Sequence, residues 1–175
     1  MKDKPQILIF TGNGKGKTTA ALGMVLRASG HALRSLVVQF IKTEGVAGEQ
    51  QALKELAGVD VLVTGLGFVP PVKSSTREKH VLAAQHGWQL LEKRSAEEHY
   101  DIIVLDEILG AVHQGLIDLS SVCNWLDARP ASEVIVLTGR NAPPELIERA
   151  DTVSEMIAIK HAYANGHAAR KGVEF

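Results

Sequence analysis

The chain has 175 residues, 45% hydrophobic and 22% charged, with 19 Lys+Arg against 20 Asp+Glu for a formal net charge of -1. That length suits one domain, 1–175, with a substantial core, and the composition excludes a disordered or collagenous chain. Near-neutral charge argues against a general nucleic-acid partner, and a lone Cys123 excludes an internal disulfide or a multi-cysteine metal cluster.

In chain order, Met1-Lys2-Asp3-Lys4-Pro5 shows no cleavable secretory pattern and leads into the apolar run Ile7–Phe10. Runs rich in Val and Ile follow at Leu36–Phe40, Val59–Val63, Ile102–Leu105 and Val134–Leu137, with a weaker one at Val153–Ile159. Short, near-continuous apolar runs read as strands of a parallel sheet buried on both faces. Between them the spacing turns helical. Thr18–Ser29 sets Leu22, Val25 and Leu26 at helical spacing and stops at Gly30. Gln50–Leu56 forms a short second helix. A long one starts near Ser75, where Ser75-Thr76-Arg77-Glu78 matches a capping box, and carries Val81, Ala84, Trp88 and Leu91 on one face. Asp118 stands as N-cap of Asp118–Leu126, and Pro143-Pro144 opens Glu145–Ala150. The alternation predicts an α/β fold, a mainly parallel sheet with helices on both faces. No apolar run approaches the roughly 18–20 residues of a membrane span, so a cytoplasmic protein without a membrane partner is expected.

The strongest chemical signal is Gly12-Asn13-Gly14-Lys15-Gly16-Lys17-Thr18-Thr19, set between the first strand and the first helix. This is the strand–glycine loop–helix context of a P-loop. Glycines let the backbone approach phosphate oxygens, and the helix N-terminus with consecutive N–H groups makes a concave anion site. Lys17 adds a cation, and the Thr18 hydroxyl suits Mg²⁺. The common spacing would put a glycine at position 11, but Thr11 stands there and the first glycine is Gly12. A tighter loop, holding the triphosphate in an unusual register, is expected.

A second signal is Ile102-Ile103-Val104-Leu105-Asp106-Glu107, an apolar strand ending in two carboxylates. Ligands of open α/β sheets bind at that edge, and Mg²⁺ takes oxygen ligands of this kind. The alternative is that both residues cap the following helix. No Asn-Lys-x-Asp guanine motif is present, which favours ATP over GTP.

Taken together, Thr11–Arg27, Val38-Gln39-Phe40-Ile41-Lys42, Val104-Leu105-Asp106-Glu107, Thr138-Gly139-Arg140, Ala150–Glu155, Lys160-His161-Ala162 and the terminal Gly172-Val173-Glu174-Phe175 resemble the P-loop type of ATP:corrinoid adenosyltransferase. The resemblance covers nearly the whole chain, in order. It implies a RecA-like domain in which a Co(I) corrinoid attacks the 5′ carbon of ATP and expels triphosphate. It further implies that Gly12, Asn13, Gly14, Lys15, Gly16, Lys17, Thr18 and Thr19 cradle the triphosphate. Thr18 and Glu107 would hold Mg²⁺ with Asp106 behind them, and Arg27 would contact the nucleotide. The implied partners are ATP, a reduced corrinoid, an electron donor such as a flavoprotein, and a second copy of the chain as a homodimer.

The chain departs from the family in two places. Many relatives carry a long helix before the first strand, where this sequence has about half a dozen residues. Enterobacterial relatives also carry a Phe and a Trp that displace the lower ligand of cobalt; Leu66 and Phe68 fall nearest those places, without the Trp. Leu66 and Phe68 therefore either face the corrinoid or fold back as core. Two other functions use the same loop: a small ATPase or kinase acting at the γ-phosphate, and a non-catalytic nucleotide- or corrinoid-binding module. Of the remaining polar residues, Arg140 suits either phosphate or an ion pair with Asp151 or Glu148. Gln39 and Lys42 either line the site or cap their strand. His161 and His167 lack metal-ligand spacing, while Trp88, Trp125 and Cys123 read most simply as core.

Overall fold

Each Val/Ile-rich run becomes a strand whose alternate side chains serve opposite faces of one sheet. The computed structural model describes residues 5–128, 132, 134–162, 166 and 168–173. Its strands are β1 (Gln6–Thr11), β2 (Ser35–Gln39), β3 (Val59–Val63), β4 (Ile102–Asp106), β5 (Val134–Thr138) and β6 (Thr152–Glu155). They form a six-stranded sheet in the order β3-β2-β4-β5-β1-β6, with every pairing parallel. The helices are α1 (Lys17–Ser29), α2 (Gly48–Lys54), α3 (Arg77–Glu97), α4 (Ile108–His113), α5 (Leu119–Asp127) and α6 (Pro144–Ile147).

Ile9, Leu36, Val38, Ile103, Leu105, Ile135 and Leu137 point to one face and bury Ala84, Trp88 and Leu91 of α3 with Val122 and Leu126 of α5. The intervening Val37, Val104 and Val136 point the other way, onto Ala21, Val25 and Ala28 of α1 and Leu53 of α2. Trp88 and Trp125 meet edge to face at 5.9 Å between ring centroids, and both are core, as is Cys123. Helices therefore cover both faces, as the continuous apolar runs require.

Three local expectations need correction. The capping box at Ser75 is not formed: α3 begins at Arg77, and its N-cap Thr76 has helical dihedrals and no side-chain cap bond. Ser74 supplies the oxygen instead, accepting from Thr76 N at 3.3 Å. Asp118 is the N-cap of α5, as expected, although its side chain makes no capping bond. The last two elements are shorter than their patterns. α6 stops at Ile147 because the chain must turn into the sheet at Asp151, which exchanges hydrogen bonds with Ile7 through Asp151 N and Oδ2. β6 stops at Glu155 because β1, its partner, ends opposite it at Thr11. The chain then crosses the glycine loop and leaves Ile157 and Ile159 exposed.

Because β5 lies between β4 and β1, the carboxyl ends of β1, β5, β4 and β2 form one contiguous edge. The phosphate loop, Thr138, Asp106 and Gln39 are the residues at that edge.

Candidate functional site

The glycine loop is held in register by Met156, the residue that follows β6. Gly14 N donates to Met156 O at 2.6 Å, and Met156 N donates to Thr11 O at 2.8 Å. A Cβ on Gly12 would lie 2.5 Å from Met156 O, and one on Gly14 would lie 2.7 Å from it. Neither position has room for a side chain. This accounts physically for the late first glycine: Thr11 is still strand, and the space ends one residue later. Gly16, at φ 115°, turns the loop into α1, a conformation that L side chains rarely adopt.

Lys17 is buried, and its Nζ donates to Gly14 O at 2.7 Å. Burial lowers its pKa; Arg140 pushes the same way, while Glu107 and Asp106 oppose. Glu107 shows the mirror effect. Burial raises its pKa, Asp106 adds to the rise, and Lys17, Arg140 and Lys42 pull against it. Both shifts disfavour the charged form, and an anion beside Lys17 or a cation beside Glu107 would oppose them.

Asp106, wholly buried, anchors the floor. Thr18 Oγ1 donates to its Oδ1 at 2.7 Å and Thr138 Oγ1 to the same oxygen at 2.8 Å. Gln39 Nε2 donates to Oδ2 at 3.1 Å, with the Lys42 ammonium 3.7 Å from that oxygen. Thr138 Oγ1 also accepts from Glu107 N at 2.9 Å. Glu107 has φ 60°, an uncommon value for a non-glycine residue that often marks a functional site. Gly110 makes room for its carboxylate, since a Cβ there would sit 2.8 Å from Glu107 Oε2.

A cavity of about 710 Å³ opens beside these groups, within the range that holds a nucleotide-sized ligand. Lys15–Thr19, Lys42 and Glu107 form its polar end. Leu22 and Leu26 of α1 face Ala52, Leu53 and Leu56 across an apolar stretch, and Gly172 and Val173 complete the lining. The structure thus brings Lys15, Gly16, Lys17, Thr18, Thr19 and Glu107 together around one space. Gly12 and Gly14 lie buried under Met156, and Asn13 is exposed; none of the three lines the cavity. Arg27 is exposed just beyond Leu26, about 15 Å from Lys17 along the helix by its rise per residue.

Leu66 and Phe68 do not fold back as core: they are 50% and 91% exposed. Their loop is held by its backbone, Gly67 N donating to Ile41 O at 2.7 Å, and by Arg77, whose Nη1 donates to Pro70 O at 3.0 Å. Lys42 lines the cavity, while Gln39, wholly buried, does not reach it and instead holds Asp106 from behind. Arg140 makes no ion pair with Asp151 or Glu148 among the described residues, and its charge is felt instead at Lys17 and Glu107. His167, Glu174 and Phe175 lie outside the described residues.

Sequence reading missed the parts played by Thr138, Met156 and Gln50. Thr138 stands at the end of an apolar strand, a legible place for a site residue. The other two carry no local pattern.

Among the described residues no three His, Cys, Asp or Glu side chains cluster as a metal site. The all-oxygen set of Thr18, Asp106 and Glu107 fits Mg²⁺ that shares its shell with phosphate oxygens and water.

The model of the family described as ATP:corrinoid adenosyltransferase BtuR/CobO/CobP matches residues 3–175. The chain belongs to this family. It is 40% identical to a corrinoid adenosyltransferase of Pseudomonas aeruginosa, with 97% of this chain and 83% of the relative covered. Against the corrinoid adenosyltransferase of Escherichia coli K12 the identity is 38%, covering 97% and 85%. Against the corrinoid adenosyltransferase CobA of Salmonella typhimurium it is 39%, also covering 97% and 85%. A KaiC-like protein of Pyrococcus horikoshii shares the fold, with a TM-score of 0.51 at 14% identity over 86% of this chain and 72% of that one. As a family member the chain is an adenosyltransferase on a RecA-like P-loop fold. Among the described residues, no helix of this ATP:corrinoid adenosyltransferase is long and apolar enough to cross a membrane.

Proposed function

We propose that the chain transfers the 5′-deoxyadenosyl group of ATP to the cobalt of a Co(I) corrinoid and releases triphosphate. The observation that carries this is the shape of the cavity. A buried lysine and a helix N-terminus stand at one end and an apolar wall at the other, in a space large enough for a whole nucleotide. The cobalt electron pair attacks C5′, the Co–C bond forms, and the C5′–O bond breaks with its electrons leaving on triphosphate. The nucleophile belongs to the substrate, so the protein need only orient ATP and stabilise charge on the leaving group.

In this reading Gly12 to Thr19 set the loop that holds the triphosphate, and Lys17 neutralises it. Thr18 and Glu107 hold Mg²⁺, whose chemistry is to screen phosphate charge. Asp106 orients the Thr18 hydroxyl. Arg27 meets the far part of the nucleotide, and Leu66 and Phe68 present an apolar surface to the corrinoid. A reductant such as a flavoprotein supplies Co(I), and the chain works as a cytoplasmic homodimer.

The test is to mix the protein with Mg-ATP and chemically reduced cobalamin or cobinamide without oxygen. A light-sensitive Co–C product with triphosphate is expected. ADP with no alkylated corrinoid would move the chain to γ-phosphate chemistry, and bound ATP with neither product would make it a binding module.

A further inference from the structure

Two buried amides connect the floor of the cavity to the segment beneath the Phe68 loop. Gln39 Nε2 donates to Asp106 Oδ2, and Gln39 Oε1 accepts from Gln50 Nε2 at 2.9 Å. Gln50 Nε2 also donates to Thr43 O at 3.1 Å, and Gln50 Oε1 accepts from Gly45 N at 2.7 Å. The polarity of this chain is forced. A backbone N–H only donates, so Gln50 must turn its carbonyl to Gly45 and its NH₂ to the two oxygens. Gln39 is then left with its own NH₂ facing the carboxylate. Gln39, Gln50 and Asp106 are 0%, 2% and 0% exposed. An amide so deeply buried is costly unless its bonds are made, and both Gln39 and Gln50 make bonds through their amide N and O.

The outer end of this chain meets the loop that carries Leu66 and Phe68. Gly67 N donates to Ile41 O, and a Cβ on Gly67 would lie 2.9 Å from Thr43 Oγ1. Residues 41–45 are therefore packed between the loop and the Gln50 side chain.

We infer that Gln50 is a positioning residue for adenosyl transfer, holding Asp106 through Gln39 and, through Thr43 and Gly45, the segment on which the Leu66–Phe68 loop rests. The role of the loop rests on the adenosyl-transfer reading above; the bonds to Asp106 do not.

The test compares Gln39→Leu, Gln50→Leu and Gln50→Glu with the unaltered chain, using binding rather than turnover. Mg-ATP affinity is measured by calorimetry without corrinoid, and Co(III) cobinamide affinity from its visible spectrum. Gln39→Leu removes the bond to Asp106 and the one accepted from Gln50 but leaves Gln50 bonded to Thr43 and Gly45, so it should weaken Mg-ATP about tenfold and weaken cobinamide far less than Gln50→Leu does. Gln50→Leu cuts both links and should weaken both ligands about tenfold. Wild-type affinities in a folded Gln50→Leu protein would overturn the proposal, and so would equal loss of cobinamide binding in the two leucine variants. If Gln50→Leu does not fold, Gln50→Glu decides. It keeps the volume and the acceptor for Gly45 but cannot donate to Gln39 Oε1 and Thr43 O together, so it must weaken both ligands. If neither variant folds, hydrogen exchange of the unaltered chain decides. Mg-ATP must slow exchange at Gly45 and Gly67, and no slowing would overturn the proposal. ADP formation by the unaltered chain, or its failure to bind cobinamide, would sink adenosyl transfer alone. The Mg-ATP and exchange measurements would still judge Gln50.

Discussion

Around Asp106, three side chains donate to two carboxylate oxygens and a fourth supplies positive charge. Phe68 is the opposite, with 91% of its surface in solvent and its loop held chiefly through backbone and a distant arginine. Both regions flank the same segment, residues 41–45. The difference follows from what each would meet. In the proposed reading phosphate and Mg²⁺ would demand fixed oxygens and N–H groups, which the hydrogen-bonded floor already provides. In the proposed reading the exposed Leu66–Phe68 loop would offer apolar area to a large corrinoid, and an exposed apolar patch of this kind marks an interaction site.

That contrast can be broken at either side, and the largest effect belongs to the floor. Lys17→Ala should lower adenosyl transfer about 10²–10³-fold, as loss of a charge partner on a leaving group does; triphosphate release under anaerobic conditions measures it, and unchanged turnover would remove Lys17 from the mechanism. Next comes Gly14→Ala, which drives a methyl into Met156 O. Urea unfolding should show a loss of about 1–3 kcal/mol from overpacking, with weaker Mg-ATP binding. Wild-type stability would mean that Met156 yields easily.

Thr138→Val should be milder. It removes one donor to Asp106 and the acceptor for Glu107 N, costing about 1–3 kcal/mol and weakening Mg-ATP in calorimetry. Glu107→Gln should move stability the other way. Because burial raises the Glu107 pKa, the folded protein holds a proton that the unfolded chain releases between pH 4.5 and the folded value. Stability therefore falls as pH rises through that interval, and the charge penalty persists above it. The ligand-free Gln variant should be more stable than wild type at neutral pH and show a flatter pH profile by thermal melting, while losing transfer. Phe68→Ala should change least in the free protein, within about 0.5 kcal/mol, and only the KM for corrinoid should rise. A large loss of stability there would mean that the loop is core-like after all.

Much of this was legible in the chain itself. Ile7–Phe10, Ile102–Leu105 and Val134–Leu137 are apolar without interruption because both faces of a central strand are covered, and they are strands. Gly12–Thr19 is recognisable because a loop that cups phosphate needs glycines followed by Lys-Thr at a helix start. Asp106-Glu107 is recognisable because carboxylates ending an apolar strand have few other reasons to be there. The capping box at Ser75 failed because a four-residue pattern is weak against the turn that delivers the chain through Ser74. β6 and α6 came out short because their ends are set by partners, β1 and Ile7, that lie far away in sequence.

The sequence by itself determined the parallel α/β class, the phosphate loop, the acidic strand end and the family, since each is written in contiguous residues whose spacing carries the physics. Tertiary structure alone decided which oxygen each donor reaches. Thr138 meets Asp106 because β5 inserts between β4 and β1; Met156 limits Gly12 and Gly14 because β6 lies on the far side of β1; Gln50 reaches Gln39 because α2 packs over residues 43–45. Phe68 is exposed for a reason of the same kind, since its loop is tied to Ile41 through backbone atoms that any residue would supply. Contacts of this sort join residues remote in sequence, and hydrogen-bond geometry, unlike hydrophobic periodicity, leaves no repeating trace in the chain.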